Sequence, residues 1–468
     1  MKQKLFRISI LLLTLGGVVA GFNPVTAQSA DTLRKIDEIF AQYHNGMPGL
    51  SVAIARDGKT IYSKAFGLAE MEHRVPNTTE TTFECGSVSK QFVAASILLL
   101  AQDGKLALTD DVRKYVPELP QYDAPITIKH LLTHTSGLKD WGAVYSLTGW
   151  PRTTRVYTQE LSFDIVFRQK SLNFSPGEQY SYSNSNYVML VLITERVSGK
   201  KLAEFTRERL FKPLGMKNTM WRDNFRDVVI GRAVAYSGSE DRFLQNMPFE
   251  NVHGPGGLLS TTGDLLIWNS LLADPKLFTD EFAAIRIESG KLNNGDPAGY
   301  AAGLMTGARN GFIEISHSGS TAGYRAWLAW YPEKRLSVAI LSNHASSDPV
   351  GKGRAIADVF LGQPERQPAT SRPQVRPQPY VPTASLTDYS GTYYSEDADV
   401  TYKIEVKEDA VWVYRKAGDT YRLNPVEHDA FTTTSNGSYR FERDRRGKVT
   451  GFKVSVSRAD NVPFRKIY

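Results

Sequence analysis

Phe83-Glu84-Cys85-Gly86-Ser87-Val88-Ser89-Lys90-Gln91-Phe92-Val93-Ala94-Ala95-Ser96-Ile97-Leu98-Leu99-Leu100-Ala101 is the stretch on which the reading of this chain turns. From Ser89 to Ala101 it is apolar almost all round, the composition of a helix buried on every side. Ser87 and Lys90 stand three residues apart at its front, so a helix carries both on one face. A serine hydroxyl is a poor nucleophile until a base removes its proton, and a lysine serves as that base only where burial or nearby positive charge lowers its pKa. A helix start adds free N–H groups and a positive dipole end, which stabilise an alkoxide. The same spacing recurs in Ser198-Gly199-Lys200-Lys201. There the serine ends the helical run Val188 to Val197, with Gly199 as its C-cap, and meets the wrong helix end.

Two further patterns match that chemistry. Pro176-Gly177-Glu178-Gln179-Tyr180-Ser181-Tyr182-Ser183-Asn184 ends in Tyr-x-Asn, and Ile315-Ser316-His317-Ser318-Gly319-Ser320 puts His-x-Gly on an expected strand. Serine acyl transfer needs a proton shuttle to the leaving group, a polar anchor for the substrate amide and a strand edge whose N–H completes an oxyanion hole. Ser87, Lys90, Tyr182, Asn184, His317, Gly319 and Ser320 would supply those parts. Tyr180 competes with Tyr182, since alternate residues of a strand face the same side. His130 and His134 have the i, i+4 spacing of a metal pair, but no His-Glu-x-x-His arrangement or third ligand accompanies them, so no metal is expected. Cys85 reads as a small buried apolar residue, and His253 and His344 as structural. No Gly-x-Ser-x-Gly elbow occurs.

Outward from the helix, Leu50 to Ala55 and Thr60 to Ala65 flank the turn dipeptide Asp57-Gly58 and read as a hairpin. Phe312 to Ser316, Tyr324 to Tyr331 and Leu336 to Ser342 read as later strands. Strands at both ends and helices between them imply an α+β domain whose sheet is closed by its terminal parts. The stretch from Gln363 to Thr383 is Pro-rich and polar, the composition of a semi-extended spacer. It separates residues 28–362 from residues 384–468. The tail reads as short strands at Tyr389 to Tyr394, Val400 to Val406, Ala410 to Tyr414, Ala430 to Thr434, Ser438 to Glu442 and Thr450 to Val456, a small all-β barrel or sandwich.

The first 27 residues have the layout of a secretory signal: Lys2, Lys4 and Arg7, an apolar run from Ile8 to Ala20, and the small-residue site Val25-Thr26-Ala27. The run is shorter than the roughly 20 residues that span a bilayer, and no later segment is long and apolar enough to do so. The expected mature protein is exported, periplasmic or extracellular, with no stable membrane anchor after signal removal. The single Cys rules out an internal disulfide and a Cys-rich metal site. The formal net charge of +7 falls by three with the leader, and the tail from Ser385 is nearly balanced. That surplus gives no argument for nucleic acid.

With these motifs in place, the chain resembles the serine β-lactamase and penicillin-binding-protein family, in the branch holding class C type β-lactamases, D,D-peptidases, D-aminopeptidases and related esterases. The resemblance covers about Ile36 to Leu361 and extends to Ile126-Thr-Ile-Lys-His-Leu-Leu-Thr-His-Thr-Ser-Gly-Leu138 and Gly254-Pro-Gly-Gly-Leu-Leu-Ser-Thr-Thr-Gly-Asp-Leu265. It implies a β-lactamase-like antiparallel sheet flanked by a helical region, and a cofactor-free covalent mechanism. Ser87 would attack a carbonyl, Lys90 and Tyr182 would manage its proton, and the N–H groups of Ser87 and Ser320 would hold the oxyanion. Asn184 would bind the substrate amide or the Lys90 ammonium. His317 would line the pocket where many relatives place a Lys, trading a fixed positive charge for a mostly neutral ring. The implied activity is hydrolysis of amides in D-residue peptides or cell-wall fragments. A carboxylesterase, a weak β-lactamase or a non-catalytic penicillin-recognising protein are the alternatives. The tail looks like the lipocalin-like barrels of some D-aminopeptidase and peptidase relatives, which cover the active site or mediate oligomer contacts, so a homo-oligomer is an expected form.

Overall fold

The computed structural model describes residues 29–151, 154–239, 241–362, 385–416, 418–434 and 437–468. The expected leader and the Pro-rich spacer lie outside the described residues. Helix α1 (Ala30–Ile39) leads into β1 (Leu50–Arg56) and β2 (Lys59–Phe66). Asp57 and Gly58 between them both have positive φ, 52° and 74°, as a two-residue turn matched to strand twist requires. Four late strands complete the sheet: β3 (Met305–Arg309), β4 (Phe312–Thr321), β5 (Tyr324–Tyr331) and β6 (Leu336–Ser342). The order is β3-β4-β5-β6-β1-β2, with β1 on β6 in the register Leu50↔Ser342 to Arg56↔Leu336. The two ends of the domain thus close one antiparallel sheet, as expected.

Helices cover both faces. Helix α1 and the last helix of the domain pack Ile36, Phe40, Ile356 and Leu361 against Val52, Ile54, Val338 and Ile340 on one face. On the other, Ala53, Ala55, Ala339 and Leu341 join the larger core of the helical region. Burial on both sides explains why β1 and β6 are mostly apolar, with the small Ser51 and Ser337 among Leu, Val, Ala and Ile, instead of alternating.

Helix α2 (Lys90–Gln102) is the buried helix expected from its composition; every residue from Lys90 to Leu100 is buried. A 3₁₀ turn, Gly86–Ser89, precedes it and holds Ser87. The later helices are α3 (Trp141–Ser146), α4 (Asn184–Ser198), α5 (Thr262–Ser270), α6 (Asp280–Ile287) and α7 (Pro349–Leu361). Helix α4 packs on α2 and ends at Gly199, φ 70°. Ser198 therefore sits at a C-terminus, where its hydroxyl accepts from Lys200 N, while the Lys200 ammonium pairs with Glu204 and Glu208.

The tail is a closed barrel of eight antiparallel strands: β7 (Gly391–Ser395), β8 (Val400–Lys407), β9 (Ala410–Lys416), β10 (Asp419–Glu427), β11 (Ala430–Thr432), β12 (Ser438–Arg443), β13 (Val449–Val456) and β14 (Ala459–Lys466). The sequence reading found six of these and missed β10 and β14. Each missed strand carries a proline, Pro425 or Pro463, and proline argues against a paired strand. Pro425 is accommodated beside a register shift, and Pro463 lies opposite Lys453. The first strand also starts later than expected, because Leu386–Tyr389 forms a 3₁₀ turn. Closure runs through Tyr393↔Lys466. Aromatic rings fill the interior: Phe452 stacks on Phe464 at 4.6 Å and lies 5.1 Å from Tyr393 and 5.5 Å from Tyr439. This barrel has a packed core, as small eight-stranded barrels do.

Candidate active site

The site forms where α2, α4 and β4 converge. Lys90, the first residue of α2, is completely buried, and its Nζ lies 3.2 Å from Ser87 Oγ, 3.0 Å from Asn184 Oδ1 and 2.9 Å from Pro255 O. It also sits over the Tyr182 ring, 4.8 Å from its centre. Burial drives the Lys90 pKa well below its ordinary range, with the Asp140 carboxylate working against this and the Arg458 guanidinium adding to it. A neutral amine has two hydrogens and one lone pair. The two carbonyl oxygens, Asn184 Oδ1 and Pro255 O, can only accept, so they take the hydrogens and leave the lone pair for the Ser87 hydroxyl proton.

Tyr182 lies in the loop just before α4, and Asn184 is the first residue of that helix. The Tyr-x-Asn spacing thus converts a loop-to-helix junction into two groups around one amine. There is no strand at Tyr180 and Tyr182, contrary to the expectation that both face one side of it. Tyr180 is 38% exposed, whereas the Tyr182 hydroxyl is buried and meets the hydrogen-bond geometry with no partner among the described residues. Burial raises the Tyr182 pKa, and the neighbouring Ser87 hydroxyl works against that shift. The group therefore stays a protonated phenol beside Ser87.

His134 was given no part at the site by the sequence reading, and it packs under this phenol. Its ring centre lies 4.3 Å from that of Tyr182 and 4.6 Å from that of Tyr300. Its Nδ1 accepts from Asn186 Nδ2 at 2.9 Å and from Ser183 N at 3.3 Å, which places the proton on Nε2, and burial keeps the ring neutral. His130 does something else: its Nδ1 accepts from Thr127 N and completes a capping box. The i, i+4 spacing puts no common face to use, because the short helix Ile128–Leu132 ends between the two and His134 has φ 56°. The quoted run Ile126 to Leu138 was the available signal for His134, but nothing in it named a role.

Strand β4 brings the third motif. β3 pairs with β4 only from Phe312 to Ser316, so among the described residues His317 to Thr321 have no strand partner on that side. The two-residue turn Ala322-Gly323 makes Thr321 and Tyr324 the hydrogen-bonded pair, and alternation then turns the Ser320 N–H away from β5. It points to the turn that holds Ser87: a Cβ on Gly86, whose φ is 50°, would lie 2.6 Å from Ser320 N, and one on Gly319 would lie 2.0 Å from Cys85 O. Both glycines are needed for this approach.

His317 departs from its expected place. It is 2% exposed and absent from the cavity lining; its Nδ1 donates to Ser318 O at 2.6 Å, and its Nε2 accepts from Tyr300 Oη at 2.8 Å. Burial holds its pKa down to about 3, so it is neutral and braces the aromatic layer of Tyr300, Tyr182 and His134. Tyr300, in a loop without motif character, was not foreseen.

A cavity of about 520 Å³ opens over Ser87, lined also by Asn184, Ser320, Trp141 and Trp150. Arg415 and Arg458 of the barrel line it too. The barrel is seated there by Tyr402 Oη on Leu147 O (2.7 Å), Arg415 Nη1 on Ser146 O (3.0 Å), and a Lys170–Glu396 pair (2.7 Å). It roofs the site and does not hang free of it.

Comparison with known proteins agrees with this architecture. The Beta-lactamase family pattern matches residues 36–363, and a domain of unknown function, DUF3471, matches residues 375–465. Penicillin-binding protein 4* of Bacillus subtilis (strain 168) is 30% identical over 366 residues, covering 74% of this chain and 79% of that protein. A D-aminopeptidase of Gluconobacter oxydans (strain 621H) is 28% identical over 363 residues, 76% of this chain; the chain spans 65% of that protein's length. Among solved structures, the octameric penicillin-binding protein homologue from Pyrococcus abyssi has a TM-score of 0.62 at 25% identity, covering 93% of this chain and 99% of that one. A matched pattern over most of the chain, together with a curated relative aligned across both partners' length, shows that this protein belongs to the beta-lactamase family of serine hydrolases.

Proposed function

We propose that this chain hydrolyses amide bonds in peptides carrying a D-residue, cell-wall fragments among them, through an acyl-enzyme on Ser87. The observation that carries the reading is the hydrogen-bond set of Lys90, whose two carbonyl acceptors leave the lone pair of the neutral amine for the Ser87 hydroxyl proton. Lys90 takes the serine proton as Oγ bonds to the carbonyl carbon. The oxyanion sits between the N–H groups of Ser87 and Ser320. The Tyr182 phenol hands a proton to the leaving nitrogen as the C–N bond breaks, and is replenished from the Lys90 ammonium. Water then opens the ester with the same groups in reverse. The similarity to a D-aminopeptidase and a penicillin-binding protein supports the substrate class. The neutral, recessed His317 supports peptidase or carboxylesterase activity over efficient β-lactam hydrolysis. The leader layout of residues 1–27 supports export to the periplasm or beyond, and the composition of 363–383 supports a spacer between a hydrolase unit, 28–362, and a barrel unit, 384–468. The octameric homologue makes a homo-oligomer the form to test by light scattering.

The reading predicts that a fluorophosphonate adds one equivalent of mass to the tryptic peptide holding Ser87. A well-folded sample without adduct would leave a binding protein as the better account. Rates on a D-alanyl anilide, a short-chain nitrophenyl ester and nitrocefin then rank the activities, with the anilide expected first. Gly86→Ala tests the oxyanion geometry: its Cβ would push on Ser320 N from a left-handed backbone. A loss of about 100-fold in kcat is expected, the effect of displacing one oxyanion donor. Wild-type kcat in that variant would count against the Ser87–Ser320 pair.

A further inference from the structure

The turn between β13 and β14 is Ser457-Arg458, and its backbone is pinned to the hydrolase unit. Arg458 O accepts from Asp140 N at 3.1 Å and Asn173 Nδ2 at 3.1 Å, while Asp460 N donates to Asn173 Oδ1 at 2.9 Å. This fixes where the Arg458 side chain leaves the backbone, and its guanidinium enters the cavity, 5.5 Å from the Tyr182 ring centre. Its contact there is loose. Nη2 lies 3.5 Å from Asp140 Oδ2, beyond a good charge-assisted hydrogen bond, and Nε is buried with no partner among the described residues. Asp140 is already engaged, capping α3 through Ala143 N at 3.0 Å and accepting from Asn184 N at 2.8 Å. Arg415, the other barrel arginine on the cavity, is paired with Asp419 at 2.9 Å and donates to Ser146 O. Glu250, also on the lining, accepts from Thr321 Oγ1 at 2.9 Å.

A guanidinium with donors to spare, fixed above a nucleophile, fits a planar anion that takes two hydrogen bonds. Strand β4 offers no cation for that anion, since its His317 is recessed and bonded to Tyr300. We infer that Arg458 of the barrel binds the free α-carboxylate of the residue that leaves. The position beside Tyr182 decides which end of the substrate this is, because Tyr182 protonates the departing nitrogen. In a C-terminal residue the carboxylate carbon is separated from that nitrogen only by Cα, about 2.5 Å across the two bonds. The enzyme then releases single C-terminal amino acids, and the barrel is part of the substrate site. In the reaction the C–N bond breaks, the Ser87 O–C bond forms, the serine proton ends on the leaving amine, and water later returns a proton to Ser87 and a hydroxyl to the acyl group. This rests on the acyl-enzyme reading above.

The test compares acetyl-D-alanyl-D-alanine with its C-terminal amide in wild type, Arg458→Gln and Arg458→Lys. The acid should be preferred by about 10- to 100-fold in kcat/KM, mostly through KM, as for charge-assisted hydrogen bonds to a carboxylate. Arg458→Gln should bring the ratio near one, with Arg458→Lys recovering part of it. A second measurement needs only wild type: free D-alanine should slow fluorophosphonate labelling of Ser87, and D-alaninamide should not. An unchanged acid-to-amide ratio in Arg458→Gln, a wild-type preference for the amide, or equal protection by both compounds overturns the inference. If wild-type Ser87 takes no fluorophosphonate at all, the acyl-enzyme reading itself has failed; labelling with an unaltered ratio sinks only the role of Arg458.

Discussion

Ser87→Ala is expected to lower turnover of every substrate by about 10⁴-fold or more, since nothing else at the site supplies an attacking oxygen held next to a base. That corresponds to about 5.5 kcal/mol of lost transition-state stabilisation. The fold should not change. Ser87 Oγ makes its hydrogen bond to Lys90, which keeps Asn184 Oδ1 and Pro255 O as acceptors. Removing one partly exposed hydroxyl leaves no cavity of consequence, so a thermal melt should superimpose on that of wild type. Mass spectrometry should show no fluorophosphonate adduct. Turnover within tenfold of wild type, on a sample free of native enzyme, would sink the acyl-enzyme reading.

Lys90→Met should cost about 10³- to 10⁴-fold in kcat/KM, the upper range for loss of a positioned base. Methionine keeps the length and removes the amine, so Ser87 remains placed but is no longer deprotonated. The pH profile of wild type provides the sign. The base acts when neutral, so kcat/KM falls as pH drops through the Lys90 pKa, which burial places well below the ordinary 10.5. The acid acts when protonated, and burial lifts Tyr182 above its ordinary 10.0, so the alkaline limb moves up. A plateau between these two limbs follows, with its acid edge well below pH 10.5. His317, held at about 3, adds no limb between pH 5 and 8. A rate that rises only as pH approaches 10 would mean that Lys90 is charged at neutrality and is not the base.

Much of this site was legible because its motifs are local. Ser-x-x-Lys encodes one helical turn, and the all-round apolar run after it encodes the burial that lowers the lysine pKa. Tyr-x-Asn encodes the junction before α4. Gly86 and Gly319 stood in the motifs as quoted, but only the approach of Ser320 N and Cys85 O shows what they permit. His134 and Tyr300 were not legible, because their role is to pack rings around Tyr182 across separations in sequence that no local pattern spans. His317 was recognised and its position misjudged: on the strand it could face the cavity or the core, and the hydrogen bond from Tyr300 selects the core.

What the sequence by itself determined was which side chains gather at the candidate site, the helix that buries Lys90, the closure of the sheet by the ends of the domain, and a β tail. Each follows from hydrophobic period, turn residues or short spacing, which act within a few residues. Tertiary structure alone decided that the tail closes through two proline-bearing strands, that its rings fill its interior, and that Arg458 reaches the cavity beside Tyr182. Those outcomes depend on pairing and packing between residues far apart in the chain, and a guanidinium on a hairpin tip carries no sign in its own neighbourhood of the carboxylate or phenol it will face.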